Sequence, residues 1–361
     1  MQVKRDVLIQ SFARPDSVVS LTPFEWDMLV RRTRPYTLLA RLLILLDEHQ
    51  LSDKIPAFAR RHLESARIVA NNEERVLRWE VNRIQRALRD VDIPIVLLKG
   101  AAYVLANLPV ARGRLSSDVD ILVPKDQLRV VEEALCRYGW EAVKLESYDQ
   151  LYYRTWSHEL PPLRHRDRKT IVDVHHTILP PTGRLRPDPE KLLEAALPLD
   201  GTRLKVLAPA DMVLHSAAHA FQDGDLRRGL RDLVDLDDLF RYFGSDPKFW
   251  NTLILRAEKI DLARPLYYAL HFTHLVLDTP IPERILQTSW RWRPIWPLPA
   301  VMDMLVTGAL ASRPLDASKS MGSFFRWLLY VRSHWLRMPP WPLVKHLLYK
   351  AITRGRRKKS S

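Results

Sequence analysis

The chain has a single cysteine, Cys136, among its 361 residues, which excludes an internal disulfide framework and agrees with a reducing compartment. Cys136 lies in a stretch of helical spacing and reads as a packing residue. The first residues, Met1-Gln2-Val3-Lys4-Arg5-Asp6, lack the basic-then-apolar pattern of a secretory signal, and no uninterrupted apolar run reaches the length of a bilayer span. The expectation is a cytoplasmic protein without a transmembrane helix. No internal repeat is present. Acidic residues are missing from one region: none follows Asp316, whereas Lys319, Arg326, Arg332, Arg337, Lys345, Lys350, Arg354, Arg356, Arg357, Lys358 and Lys359 do. Eleven of the fourteen net positive charges therefore lie in that last segment, and the rest of the chain is close to neutral. This balance points to a basic tail suited to anionic lipid, a polyanion or an acidic partner, rather than to a nucleic-acid-binding core.

What is present describes a globular chain, with 47% hydrophobic and 27% charged residues, long enough to bury a core and form two or three domains. From about Thr22 to Asp90 apolar residues recur at helical spacing, as in Leu38, Leu39, Leu42, Leu45 and Leu46, and Thr22-Pro23-x-Glu25 has the form of a capped helix start. Residues 1–90 read as an N-terminal helical region that serves as a packing scaffold. Residues 91–180 change character. Ile93–Leu98 reads as a short buried strand, and Gly100 permits a tight turn into a helix over Ala101–Leu108. There follow a strand through Asp118 and Asp120, a helix over Lys125–Tyr138, a strand over Trp140–Leu145 and a strand through Asp173. Alternating strands and helices of this kind predict an α/β or α+β core with mixed strand direction. Residues 181–289 read as a second helical region. Within it, one helix starts at Pro209-Ala210-Asp211 and carries His215 and His219; another covers Leu226–Phe243, and more helices fill 248–278. Residues 290–361 form a basic region holding six of the eleven tryptophans.

The chemistry concentrates in three carboxylates. In Asp118-Val119-Asp120-Ile121-Leu122-Val123 the aspartates lie two apart in an apolar, β-branched run, so a strand points both side chains to one face. Adjacent carboxylates repel, and Mg²⁺ is commonly held by one or two of them together with substrate phosphates. Asp173, in Ile171-Val172-Asp173-Val174, is flanked in the same way and would complete a two-ion site or accept a proton. A single Asp-x-Asp also occurs at solvated strand ends; the third carboxylate and the upstream Lys99-Gly100 turn favour the metal reading. Gly100, between strand and helix, lets backbone N–H groups approach phosphates, Lys99 brings a cation, and Arg114 sits where it would neutralise a leaving pyrophosphate. His175 shares the strand face of Asp173 and reads equally well as a substrate contact or a buried structural histidine. His215 and His219 have the spacing of a two-histidine metal site but no metalloprotease glutamate, so they read as helix packing or acceptor-site lining. Asp232, Asp235 and Asp238 read as an exposed helix face.

At these residues the sequence resembles the uncharacterised bacterial nucleotidyltransferase family of the polymerase-β-type superfamily. The match rests on Leu97-Leu98-Lys99-Gly100-Ala101-Ala102, Arg114-x-x-x-Asp118-Val119-Asp120, Tyr138-Gly139-Trp140, Val172-Asp173-Val174-His175, His215-x-x-x-His219 and Leu230-Arg231-Asp232-Leu233. The resemblance implies an α+β fold with a small mixed sheet flanked by helical regions, and Mg²⁺- or Mn²⁺-dependent transfer of a nucleoside monophosphate from an NTP to a hydroxyl of a small-molecule, sugar or peptide acceptor. Such proteins often accompany exopolysaccharide or modified-peptide biosynthesis. One departure concerns the phosphate turn, where the superfamily usually has Gly-Ser and this chain has Gly100-Ala101; Lys99 is the candidate to compensate.

The competing reading is a catalytically silent nucleotide-binding accessory protein of a biosynthetic assembly. A further reading gives the basic tail the main role. Phe324, Trp327, Leu328, Val331 and Trp335 fall near one helical face, and with the adjacent basic residues residues 317–361 suit peripheral attachment to an anionic membrane. The alternative for Trp327 and Trp335 is packing on the helical region.

Overall fold

The structure, a computed structural model, describes residues 6–143, 157–223, 229–311 and 321–337. The N-terminal region is helical as its periodicity predicts: α1 spans Val7–Ala13, α2 Pro23–Thr33, α3 Leu39–Glu48 and α4 Ala57–Ala87. At the start of α2 the Thr22 hydroxyl accepts the Glu25 N–H at 3.3 Å, and the Glu25 carboxylate accepts the Thr22 N–H at 2.8 Å. This reciprocal box satisfies two donors that a helix start otherwise leaves open. The leucine row Leu39, Leu42, Leu43 and Leu46 is buried, and the helix carrying it packs on α4.

Seven short strands build one mixed sheet: β1 Ile95–Leu97, β2 Asp118–Leu122, β3 Trp140–Ala142, β4 Leu163–His165, β5 Ile171–His175, β6 Leu197–Pro198 and β7 Leu204–Val206. Their spatial order is β3-β4-β5-β2-β1-β7-β6. The pairs β2–β5 and β1–β7 are parallel and the others antiparallel. The α+β architecture with a small mixed sheet is therefore as the sequence predicts. The segment 91–180 supplies five of the strands, and β6 and β7 join from 197–206.

Between the strands, α5 spans Lys99–Leu105 and α6 Leu128–Arg137, the latter preceded by a 3-10 turn at Lys125–Gln127. The expected strand Trp140–Leu145 ends at Ala142, and Leu145 lies outside the described residues. Cys136 is exposed on α6, contrary to its reading as a packing residue: the buried positions of that helix are Val131, Ala134 and Leu135, and Cys136 falls off their face. A short helix, α7 (Pro189–Ala195), precedes β6.

The C-terminal half is helical: α8 Pro209–Ala218, α9 Gly229–Phe243, α10 Pro247–Lys259, α11 Ala263–Leu277, α12 Glu283–Ser289, α13 Leu298–Ala311 and α14 Met321–Arg337. The first three residues of the expected Leu226–Phe243 helix lie outside the described residues. A π-turn, His219–Asp223, follows α8, so His215 is in α-helix and His219 opens the wider turn. On α14, Phe324, Trp327 and Trp335 are 55%, 56% and 45% exposed, and the Arg184 guanidinium lies over the Trp335 ring. The Arg354–Lys359 cluster and Trp341 lie outside the described residues. Among those described, no helix is long and apolar enough to cross a membrane.

Candidate active site

The register of β2 against β5 pairs Asp118 with Ile171, Asp120 with Asp173 and Leu122 with His175. Paired residues point to the same side of a sheet and alternate along each strand. Asp118, Asp120, Asp173 and His175 thus share one face. Val119, Ile121, Val172 and Val174, all nearly inaccessible, take the other and anchor the strands in the core. The neighbouring strand β1 adds the next group. The Leu98 N–H donates to the Asp120 carbonyl at 3.0 Å, which carries Lys99 and Gly100 to the end of β2. Lys99 has φ +42°, a left-handed conformation costly for a side chain with a Cβ, and a residue held there is over-determined by its surroundings.

The electrostatics of this face are unequal. Asp120 is buried, which raises a carboxyl pKa, but the Lys99 ammonium and the His175 ring outweigh burial and hold it well below the usual range. His175 Nε2 lies 3.0 Å from Asp120 Oδ1 and 3.4 Å from Glu159 Oε2. Burial lowers the His175 pKa, and the bond to Asp120 with the charge of Glu159 more than reverses this. Asp173 behaves oppositely: burial first, then the charges of Glu159 and Asp120, push it up to about 7. Its Oδ1 is buried and has no hydrogen-bond partner. An orphaned carboxylate oxygen beside two further carboxylates fits a divalent cation, which would supply both the missing partner and the missing positive charge.

His215 and His219 face this assembly from α8 and the π-turn. Burial, then Lys99, depress His215; Lys99, then burial, depress His219; both imidazoles are neutral at pH 7. His215 is 3% exposed, in keeping with helix packing, and both rings are electrostatically coupled to Lys99 and Asp120.

Arg114 is placed differently from a free phosphate clamp. Its Nε donates to Asp235 Oδ2 at 2.9 Å and its Nη1 donates to Ser116 Oγ. Arg41, from α3, donates to Asp235 and to Asp238. Asp235 is 5% exposed, so the reading of Asp232, Asp235 and Asp238 as an exposed face is corrected. Two guanidiniums from other parts of the chain turn that acidic row inward. Arg231 adds a bond to the Leu115 carbonyl at 3.0 Å, so α9 holds the whole loop that delivers β2. Gly113 in that loop has φ +68°, and an added Cβ would lie 2.9 Å from the Ala40–Arg41 backbone.

Sequence reasoning missed Glu159 and His158. The segment around them runs beside β5, with Leu160 N–H donating to the Val174 carbonyl at 2.9 Å and Glu159 bridging His175. His158, Glu159 and His175 present ligand atoms within 4.8 Å of one another. No local pattern marks His158-Glu159; only the pairing to β5 brings them in.

A mixed sheet that presents carboxylates from two adjacent parallel strands, with a Lys-Gly turn after the neighbouring antiparallel strand β1, defines a nucleotidyltransferase-type core. The chain belongs to the uncharacterised nucleotidyltransferase family, whose model matches residues 22–278. A crystal structure of an antigenic nucleotidyltransferase-like protein from Paracoccidioides brasiliensis is similar over 53% of this chain and 91% of that one, at 16% identity and a TM-score of 0.31. No curated protein matches the chain.

Proposed function

We propose that this protein transfers a nucleoside monophosphate from an NTP to a hydroxyl of a small-molecule, sugar or peptide acceptor, with Mg²⁺ or Mn²⁺. The observation that carries the reading is the side-by-side placement of Asp120 and Asp173, with the Asp173 Oδ1 buried and unpartnered. Asp118, Asp120 and Asp173 would hold the metal. When bound, such ions neutralise the triphosphate and lower the pKa of the acceptor hydroxyl.

The protein's own groups have distinct tasks. Lys99 binds phosphate oxygens at the turn after β1. Arg114, fixed by Asp235, brings a second positive charge toward the departing pyrophosphate. His175 keeps Asp120 ionised and in place. The acceptor oxygen bonds to the α-phosphorus while the bond from that phosphorus to the α–β bridging oxygen breaks. The electron pair leaves with pyrophosphate, and the hydroxyl proton passes to Asp173. Neutral His215 and His219 line the acceptor side and accept hydrogen bonds there.

The test is incubation of the pure protein with each α-labelled NTP, Mg²⁺ or Mn²⁺, and cell extract fractionated by acceptor class. Metal-dependent label in an acceptor fraction, lost in Asp120→Asn, supports the enzyme. Tight NTP binding without transfer to any fraction supports the silent accessory protein instead.

A peripheral position on an anionic membrane is part of the proposal. It is supported by the exposed row Phe324, Trp327, Val331 and Trp335 on α14 and by a following sequence with seven basic and no acidic residues after Arg337.

A further inference from the structure

Ile295 and Trp296, two large apolar side chains, stand almost wholly in solvent at 86% and 80% exposed, and Leu298 beside them is 55% exposed. They sit on the turn that leads into α13. The turn closes on itself, with the Leu298 N–H donating to the Ile295 carbonyl at 3.1 Å. Pro294 and Pro297 contribute no N–H, so the turn keeps few donors that need water. Its base is pinned: Arg291 bridges Glu258 at 2.8 Å, and the half-buried Trp292 packs on the core. Apolar surface held outward on a fixed stem in this way marks an interaction site.

The turn also has a defined position relative to the basic C-terminal sequence. The Phe325 ring fills the space in front of Gly308, and Arg326 Nη1 donates to the Ala309 carbonyl at 3.2 Å, so the end of α13 meets the start of α14 and the two helices form a hairpin. Ten residues separate Gly308 from Leu298, and ten separate Phe325 from Trp335. Each stretch is about 15 Å long at the α-helical rise, which brings the turn to the end of the hairpin that carries Trp335 and Arg337. There Thr182 Oγ1 donates to the Arg337 carbonyl at 2.8 Å and fixes the point from which a sequence with seven basic and no acidic residues continues.

We infer that the Ile295–Leu298 turn is a membrane-inserting tip covered by an anionic lipid bilayer. Ile295 and Leu298 enter the acyl layer, the Trp296 indole takes the head-group level, and the basic sequence that starts at the same end of the hairpin meets the anionic head groups. A bilayer interior offers no hydrogen bonds, and a turn with two prolines and an internal bond asks for few. A second copy of the chain fits less well, because joining two such turns would bring two basic segments together. This inference rests on the peripheral membrane reading above and adds the element that leaves water.

The test sediments the full-length protein with vesicles of phosphatidylserine and phosphatidylcholine, beside Ile295→Ser/Trp296→Ser and a truncation after Arg337. The double variant is expected to bind about tenfold or more weakly, since keeping even one large apolar side chain in water costs about that factor. That loss should be equal at low and high salt, whereas the loss on truncation should shrink as salt rises. Trp296→Phe, which keeps a large apolar ring, should hold affinity within about threefold and lose part of the emission that brominated acyl chains quench. Unchanged affinity in the folded double variant overturns the tip and leaves the basic sequence as the anchor. A wild-type protein that does not bind these vesicles overturns the membrane reading and the tip together. If the wild type sediments as a dimer without vesicles and the double variant as a monomer, a second copy covers the turn and the inference falls. It falls likewise if the Trp296 contribution to emission is already blue in the free protein and turns red on truncation, since residues 338–361 would then cover the turn.

Discussion

The buried network that holds the loop before β2 gives a stability prediction whose size follows from exposure. Asp235→Ala would remove the carboxylate shared by Arg41, whose side chain is 5% exposed, and Arg114, whose side chain is 11% exposed. Breaking a buried pair from one side costs about 3–5 kcal/mol, because the remaining charge keeps its desolvation penalty and loses its partner. Unfolding entropy of about 2.1 cal/mol/K per residue over this chain converts that cost to a fall in Tm of about 4–7 °C. Asp238→Ala is the internal control: its side chain is 30% exposed, and Arg41 keeps Asp235 when it is lost. That pair resembles a surface bridge of about 1 kcal/mol or less, so the expected fall is below about 2 °C. Scanning calorimetry at pH 7 in low and high salt reads both variants. Equal shifts for the two, or a loss at Asp235 that disappears in high salt, would refute the claim that the network is buried and holds the loop.

Other predictions concern the site and the C-terminus. With metal removed by EDTA, Asp173→Asn is expected to raise Tm at pH 8 and leave it unchanged near pH 4. The folded carboxyl titrates at about 7 and the unfolded one near 3.8, so wild-type stability falls as pH rises through that window. A shift of about three units corresponds to about 4 kcal/mol at most, and parallel pH–Tm curves for the two proteins would contradict the raised pKa. Vesicles containing anionic lipid should co-sediment the wild-type protein, neutral vesicles should not, and truncation after Arg337 should reduce binding by more than about tenfold. Each lost basic residue near the surface is worth about 1 kcal/mol. Equal binding after truncation would remove the basic tail from the account.

The aspartates and their sheet were legible because a strand writes its geometry into a period of two. Asp118 and Asp120, with Asp173 in an equally apolar frame, could only emerge on faces opposite their valine and isoleucine neighbours. The pairing of Asp120 with Asp173 was not legible, since register between strands 53 residues apart leaves no local mark. The same holds for Asp235, whose bond to Arg41 spans 194 residues. Read locally, an acidic row on a helix is a solvated face; two distant arginines reverse it. Lys99 was recognised from its glycine, whereas the Arg114–Asp235 pair was not, because it exists only once α9 packs against the loop before β2. Strands β6 and β7 are two and three residues long, too short for periodicity to announce them.

The central claim is that Asp118, Asp120 and Asp173 together hold the divalent cation that nucleotidyl transfer requires. The most direct measurement is calorimetric titration of Mn²⁺ into the NTP-loaded protein, beside Asp118→Asn/Asp120→Asn, which keeps side-chain shape and removes two charges. The account predicts saturable binding by the wild type and its loss in the double variant, with NTP-dependent turnover lost in parallel. Wild-type metal affinity and turnover in the folded double variant would contradict it.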